Sequence, residues 1–319
     1  MNLQTKVRLP LPLSQRLVYG AQMLSMGSCF SEHIGEYLRY LGHHISVNPY
    51  GIVYNPVSIA IGLERLLEQR PYTEPELFAF GGLYHSRQHH GAFSSASREH
   101  SLDLINMAYG TAVARIQSLD YLLITWGTAW IYSEQSSGEV VANCHKRPER
   151  EFERRLWSVE ELVARVKPIL DRLLSMFPQL RIITTISPIR HLRDGAHGNQ
   201  LSKATLLLMD EALRTSLGSE RYIYYPAYEL VMDELRDYRF YAEDMAHPSA
   251  QTQRYIAEGF ATWLMDTPTA QLSEHVRRLK AQAAHRPLHS DHPDWQLQQE
   301  QLAMLVDTFR LQHPEVLWD

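Results

Sequence analysis

The chain has 319 residues, enough for one large α/β domain or a domain with an appendage; 45% hydrophobic and 21% charged residues allow a substantial core and exclude a disordered chain. A formal net charge of −5 with no long basic run argues against nucleic acid as the main partner, because phosphate binding needs concentrated Lys and Arg. Two cysteines, Cys29 and Cys144, exclude a disulfide framework and leave one bridge open. No stretch approaches about 18 uninterrupted apolar residues, so no membrane span is expected. The N-terminal MNLQTKVRLPLPLSQRLVYG lacks the apolar core of a signal peptide, which points to the cytoplasm. The 16 histidines show no metal-ligand spacing, and the pairs His43-His44 and His89-His90 read as loop or surface residues. No metal or redox cofactor is implied.

Residues 1–20, broken by Pro10 and Pro12, read as an extended lead-in. The apolar run 22–26 is a first strand ending in Gly27-Ser28-Cys29-Phe30, a tight turn before a helix. From Glu32 the apolar residues Ile34, Tyr37, Leu38 and Leu41 recur at helical spacing, and Gly42 can end that helix. Ile45 to Val47 is a second strand, leading into the turn-rich Asn48-Pro49-Tyr50-Gly51. A helix over 57–69 follows with Ile59, Leu63, Leu66 and Leu67 inward. Strand, helix, strand, helix is the signature of a parallel sheet.

Residues 70–100, rich in Gly, His and Ser, read as a long irregular loop of the kind that carries binding function. A helix over 101–117 precedes the buried-type strand Tyr121 to Thr125, with Gly127-Thr128 at its end. Residues 130–155 read as a hairpin turning at Ser137-Gly138. Ser158 and Glu161 form a capping box for a helix over 159–176. Arg181 to Ile186 is the fourth strand, ending in Ser187-Pro188-Ile189-Arg190-His191. A helix over 200–216, a fifth strand Tyr222 to Tyr225, and a short helix with a loop over 228–243 follow. His247-Pro248-Ser249 opens a helix over 249–265, with Pro248 suited to its first turn. Pro268 marks a boundary between an α/β unit, 1–267, and a charged, Gln-rich helical extension, 268–319, with helical stretches near 270–284 and 294–311 that would pack on the core or on a partner.

Strand ends of a parallel sheet share one edge, and ligands bind there. Ser28 and Cys29 are the nucleophile-capable side chains at that edge, beside a helix N-terminus that is expected to lower a thiol's pKa. Asp244 stands three residues before His247, close enough to hold Nδ1, set the tautomer and leave Nε2 as a general base. His145, Lys146 and Arg190 are candidates to hold an anionic group if their loops fold over the site.

The stretches GSCFSEHIG, NPYGIVYNP, WGTAW, NCHK, SPIRHLRDG and FYAEDMAHPS resemble the GSCFA-domain family over about residues 20–265, with Ser31 in place of the Ala that ends the family's name motif. The resemblance implies a relation to the SGNH (GDSL-like) hydrolases and their flavodoxin-like fold. The fold expected is a three-layer α/β/α sandwich with a mainly parallel five-stranded sheet, plus the C-terminal helices. In the Gly-Asp-Ser motif of those enzymes the nucleophile stands third, a position held here by Cys29, with Ser28 in the place of Asp; both remain candidates. The implied oxyanion donors are the backbone of the nucleophile turn, Gly51, and an Asn in a Gly-x-Asn after the third strand. Here that stretch is Gly127-Thr128-Ala129, so the Asn is missing, and Thr128, Asn48, Asn55 or Asn143 are the possible substitutes. The expected function is hydrolysis of a small-molecule or carbohydrate ester, such as an acetyl ester, through a Cys/Ser-His-Asp triad. The alternatives are a coenzyme A-dependent acyltransferase and a non-catalytic binding module of the same fold. The sequence leaves the oligomeric state open.

Overall fold

Five apolar runs set the sheet. In the computed structural model, which describes residues 5–10, 13, 16–286 and 293–318, β1 (Met23–Gly27), β2 (Ile45–Val47), β5 (Tyr121–Trp126), β9 (Arg181–Ile186) and β10 (Tyr222–Tyr224) form one sheet in the order β10-β9-β5-β1-β2. Every pairing in it is parallel, with Met23 beside both Ile45 and Tyr121, and Tyr121 beside Arg181. The strands are buried on both faces, as parallel strands between helices must be, and alternate residues face opposite layers. Leu24, Met26, Leu122, Ile124 and Ile182 face a core shared with α2 (Pro56–Glu68), α3 (Arg98–Ile116), α4 (Val159–Met176) and α5 (Gly195–Leu217). Met23, Tyr121, Leu123, Ile183 and Ile223 face the other layer, which contains α1 (Cys29–Tyr40) and α7 (Ala250–Leu264). The architecture is the expected three-layer sandwich, with β1 at the point where the chain's winding reverses.

Helix boundaries fall within a few residues of the expected ones, and the caps explain them. Asn55 caps α2, Ser97 caps α3, and Ser158 with Glu161 forms the capping box of α4. Ser249 caps α7, so Pro248 lies before the helix rather than in its first turn.

The two excursions are more ordered than expected. Residues 70–100 contain an antiparallel hairpin, β3 (Leu77–Phe80) and β4 (Leu83–Ser86), turned by Gly81 and Gly82 at φ of 58° and 80°. Two consecutive positive φ angles suit a tight hairpin and need glycine. The second excursion is a three-stranded sheet, not a hairpin alone: β6 (Trp130–Glu134) pairs with β7 (Val140–Val141) on one side and β8 (Phe152–Leu156) on the other. After β10 the chain forms α6 (Ala227–Glu229), which continues into a π-helical turn, Leu230–Glu234.

The histidine pairs stand in loops, as expected, but one member of each is buried rather than at the surface. His43 and His89 are 1% and 0% exposed. His43 stacks on Tyr19 at 4.3 Å and reaches Ser273, and His89 bonds Ser86 at 2.8 Å. Burial pushes both imidazoles down to about 3.

At the C-terminal end α8 (Thr267–Ala284), capped by Asp266 with Pro268 in its first turn, packs with α9 (Pro293–Gln312) through Val276, Leu279 and Phe309. Among the described residues no helix is long and apolar enough to cross a membrane. Pro12 of the lead-in lies outside the described residues.

Candidate active site at the carboxyl edge of the sheet

The turn after β1 assigns different positions to its two nucleophile candidates. Ser is a preferred N-cap residue because its hydroxyl oxygen accepts an orphan helix N–H. Ser28 does this for α1, accepting from Phe30 N at 3.3 Å, and is fully buried. Gly27 before it has φ of 143°, and a Cβ there would run into the backbone of Thr125 on β5. Cys29 is the first residue of the helix, half-buried, and a free thiol, as is Cys144. The expected lowering of its pKa is overturned. Burial pushes the Cys29 thiol up and the Glu32 carboxylate adds to that; the backbone N–H groups of Cys29 and Phe30 and the charge of Lys203 pull down, but not enough.

The turn before α7 holds the expected Asp244–His247 pair. Asp244 Oδ1 accepts from the backbone N–H of Ala246 at 3.0 Å and of His247 at 2.9 Å, with Met245 left-handed at φ 55°. Asp244 Oδ2 lies 2.5 Å from His247 Nδ1. The two backbone donors and then the imidazole hold the Asp244 carboxyl down at about 2, so it is a carboxylate at neutral pH. With Nδ1 held, Nε2 is the free ring nitrogen. The side chains are 52% and 49% exposed, and the charge of His247 acts on both His33 of α1 and His191 after β9. The 244–247 turn therefore lies near the first turns of α1 and the β9 end.

The other expected residues fall into two groups. Near the sheet edge, Gly51 closes a turn in which its N–H donates to Asn48 O at 2.7 Å. Gly127 and Thr128 both donate to Tyr54 O, at 2.8 and 3.0 Å. None of these three N–H groups is free in this arrangement. Asn55 is spent on the α2 cap, accepting from Ser58 N at 2.8 Å. Asn48 is buried and left-handed at φ 42°, and neither end of its amide has a partner among the described residues. Arg190 contacts Met232 Sδ at 3.4 Å and repels Lys203.

Asn143 and His145 belong to a different neighbourhood. Asn143 Oδ1 accepts from His145 N at 2.8 Å, while the His145 ring meets Ser86 O at 2.7 Å and packs 4.4 Å from His85. Their contacts are with the β3–β4 hairpin, and burial pushes His145 down to about 4.

His191 lies at the β9 end as expected, and two further residues at the edge, Tyr54 and Lys203, were not singled out. Tyr54 sits against His191 edge-on at 5.5 Å, and its hydroxyl is raised by burial and by the charges of Cys29 and Glu32. Lys203 of α5 is 1% exposed and donates from Nζ to Gly127 O at 2.7 Å. Burial and then Arg190 push it down to about 7, against a smaller upward pull from Cys29. The signal for Lys203 was in the sequence: it shares a helical stripe with Leu206, Met209 and Leu213, where a lysine is out of place.

Comparison with known proteins places these features in context. No curated protein sequence matches the chain. Among solved structures, an acetyl xylan esterase from the rumen bacterium Butyrivibrio proteoclasticus aligns over 78% of this chain and 64% of its own, at 10% identity and a TM-score of 0.39. The chain thus spans less than two thirds of that enzyme. The sequence profile of the GSCFA family matches residues 22–260, from the first strand through the Asp244–His247 turn and most of α7. The protein belongs to the GSCFA family.

Proposed function

We propose that the protein is an acyl hydrolase of the SGNH type that cleaves a small ester, such as an acetyl ester on a carbohydrate, with Cys29 as nucleophile, His247 as general base and Asp244 as the residue that orients it. The observation that carries the reading is the Asp244 Oδ2–His247 Nδ1 contact of 2.5 Å at the edge where Cys29 opens α1. Cys29 is favoured over Ser28 because the serine is fully buried and its oxygen is spent on the cap, whereas the thiol is half-exposed.

In this reading the Cys29 thiol, held protonated by its surroundings, gives its proton to His247 Nε2 as sulfur bonds the ester carbonyl carbon. The carbonyl electron pair moves onto oxygen. Collapse of that intermediate expels the alcohol oxygen, which takes the proton from His247, and leaves a thioester. Water then attacks the thioester, again losing its proton to His247, and the acid and the thiol are released.

Turnover of p-nitrophenyl acetate tests it. Cys29→Ala and His247→Ala should each lower kcat by about 10³-fold or more, while Ser28→Ala retains most activity. Unchanged turnover in Cys29→Ala would remove the proposed nucleophile.

A further inference from the structure

When sulfur bonds an ester carbonyl carbon, charge gathers on the carbonyl oxygen, and the site has to offer that oxygen hydrogen-bond donors. The backbone donors near this edge are engaged: Gly51 N–H is closed onto Asn48 O, and Gly127 and Thr128 N–H are given to Tyr54 O. The turn that follows β5 nevertheless keeps one donor unspent.

That turn, Gly127 to Trp130, is held from α5. Lys203 Nζ donates to Gly127 O at 2.7 Å, Ala129 N donates to Ser202 Oγ at 2.8 Å, and Trp130 N donates to Thr128 Oγ1 at 3.2 Å. Thr128 Oγ1 and Ser202 Oγ lie 3.1 Å apart, so one hydroxyl donates to the other. Burial decides which. Ser202 is 2% exposed, and among the described residues Thr128 Oγ1 is the one acceptor its hydroxyl hydrogen reaches. A buried O–H left without an acceptor is costly. Thr128 is only half-buried, so its hydrogen is free to face outward. Ser202 therefore donates to Thr128. Thr128 Oγ1 then accepts twice, from Ser202 and from Trp130 N, and its own O–H is left over.

The backbone brings this hydroxyl to the same edge as Cys29. β1 and β5 pair in register as far as Gly27 and Thr125, and Ser28 N reaches Thr125 O at 3.4 Å. The two chains leave the sheet as neighbours, one continuing to Cys29 and the other to Thr128. The Asn48 amide is the other unspent donor, but both of its polar atoms are shut away from solvent.

We propose that Thr128 is a catalytic residue: its hydroxyl donates a hydrogen bond to the carbonyl oxygen of the bound ester as that oxygen becomes an oxyanion, and Ser202 is the positioning residue that turns the hydroxyl outward. Thr128 keeps its proton throughout and forms no covalent bond; the proton that moves goes from the thiol to His247. The proposal rests on ester cleavage at this edge.

Thr128→Val keeps the shape of the side chain and removes the O–H. It should lower kcat for p-nitrophenyl acetate by about 10²–10³-fold with KM little changed. Thr128→Ser, which keeps the hydroxyl, should retain most of the activity, and Ser202→Ala should lower kcat with KM little changed. Iodoacetamide is attacked at a CH₂ carbon and places no charge on a carbonyl oxygen. In a Cys144→Ser background, alkylation of Cys29 should therefore run at the parent rate in both Thr128→Val and Ser202→Ala. Full turnover in Thr128→Val overturns the proposal, as does a fall in alkylation equal to the fall in turnover. So does a loss of that size in Asn48→Ala with Thr128→Val unaffected. If Cys29→Ala retains turnover, the nucleophile assignment fails, and turnover in Thr128→Val still decides the donor. A neutron structure of the deuterated wild-type protein decides it without substrate. Deuterium on Ser202 Oγ should point at Thr128 Oγ1, and that on Thr128 away from Ser202; the reverse orientation overturns the proposal.

Discussion

Helix α5 buries two opposite charges that do not meet, and they should dig a trough in the protein's stability near neutral pH. Lys203 is pushed down to about 7 and Asp210, two turns further on, is pushed up to about 6 although it accepts from Trp126 Nε1 at 3.0 Å and Tyr222 OH at 2.7 Å. For Asp210 the folded pKa exceeds the unfolded one. Its contribution is complete below an unfolded value of 3.8 and is lost as pH rises through about 6. For Lys203 the folded pKa lies below the unfolded 10.5, so its contribution is complete above 10.5 and is lost as pH falls through about 7. Both losses are greatest between these two windows. A tenfold change in proton affinity between the folded and unfolded chain is worth about 1.4 kcal/mol, so Asp210 costs about 3 kcal/mol and Lys203 about 5 kcal/mol at their extremes. Urea unfolding of wild type, Lys203→Met and Asp210→Asn at several pH values would separate the walls. The stability gap between Lys203→Met and wild type should close by about 2–3 kcal/mol from pH 7 to pH 9, and the gap for Asp210→Asn should open by about 2 kcal/mol from pH 4 to pH 6. A gap that stays constant with pH for either variant would mean that the group titrates normally in the fold, and would refute the burial argument for it.

The Asp244–His247 contact and the Ser28 cap make separate predictions. Asp244→Asn keeps an oxygen for the N–H groups of Ala246 and His247 but loses the carboxylate on Nδ1, so kcat for p-nitrophenyl acetate should fall by about 10²–10⁴-fold with the fold intact by circular dichroism; equal kcat would remove the proposed role. Ser28→Ala should cost about 1 kcal/mol in thermal unfolding through loss of the cap while Cys29 still alkylates. If it instead abolished turnover in a folded protein with a reactive thiol, the nucleophile would be Ser28.

The sheet was legible because its strands are continuous apolar runs with helices between them, a pattern that only a parallel sheet buries on both faces. What escaped was held by distant partners. The β3–β4 hairpin has only four residues a side, and three of those eight are exposed, so its period-two signal is weak although Gly81-Gly82 marks its turn. His43 reads as polar, yet its ring is covered by Tyr19 from the lead-in and reached by Ser273 from α8. Nothing in the residues around position 43 encodes either partner.

At the site, the rivalry between Ser28 and Cys29 was open to a local argument, since Ser is a strong N-cap and Cys is not. That preference sets the register of α1, buries the hydroxyl in the cap and leaves the thiol as the first helical residue. The expected acidity of that thiol failed for a reason of magnitude. The N-terminal N–H groups do favour the thiolate, but burial and Glu32 outweigh them. A thiol held protonated cannot work as a pre-formed ion pair. In the proposed reaction its proton leaves during the attack, to a base whose other nitrogen is held by Asp244. On this reasoning reactivity would depend on His247 rather than on the helix dipole.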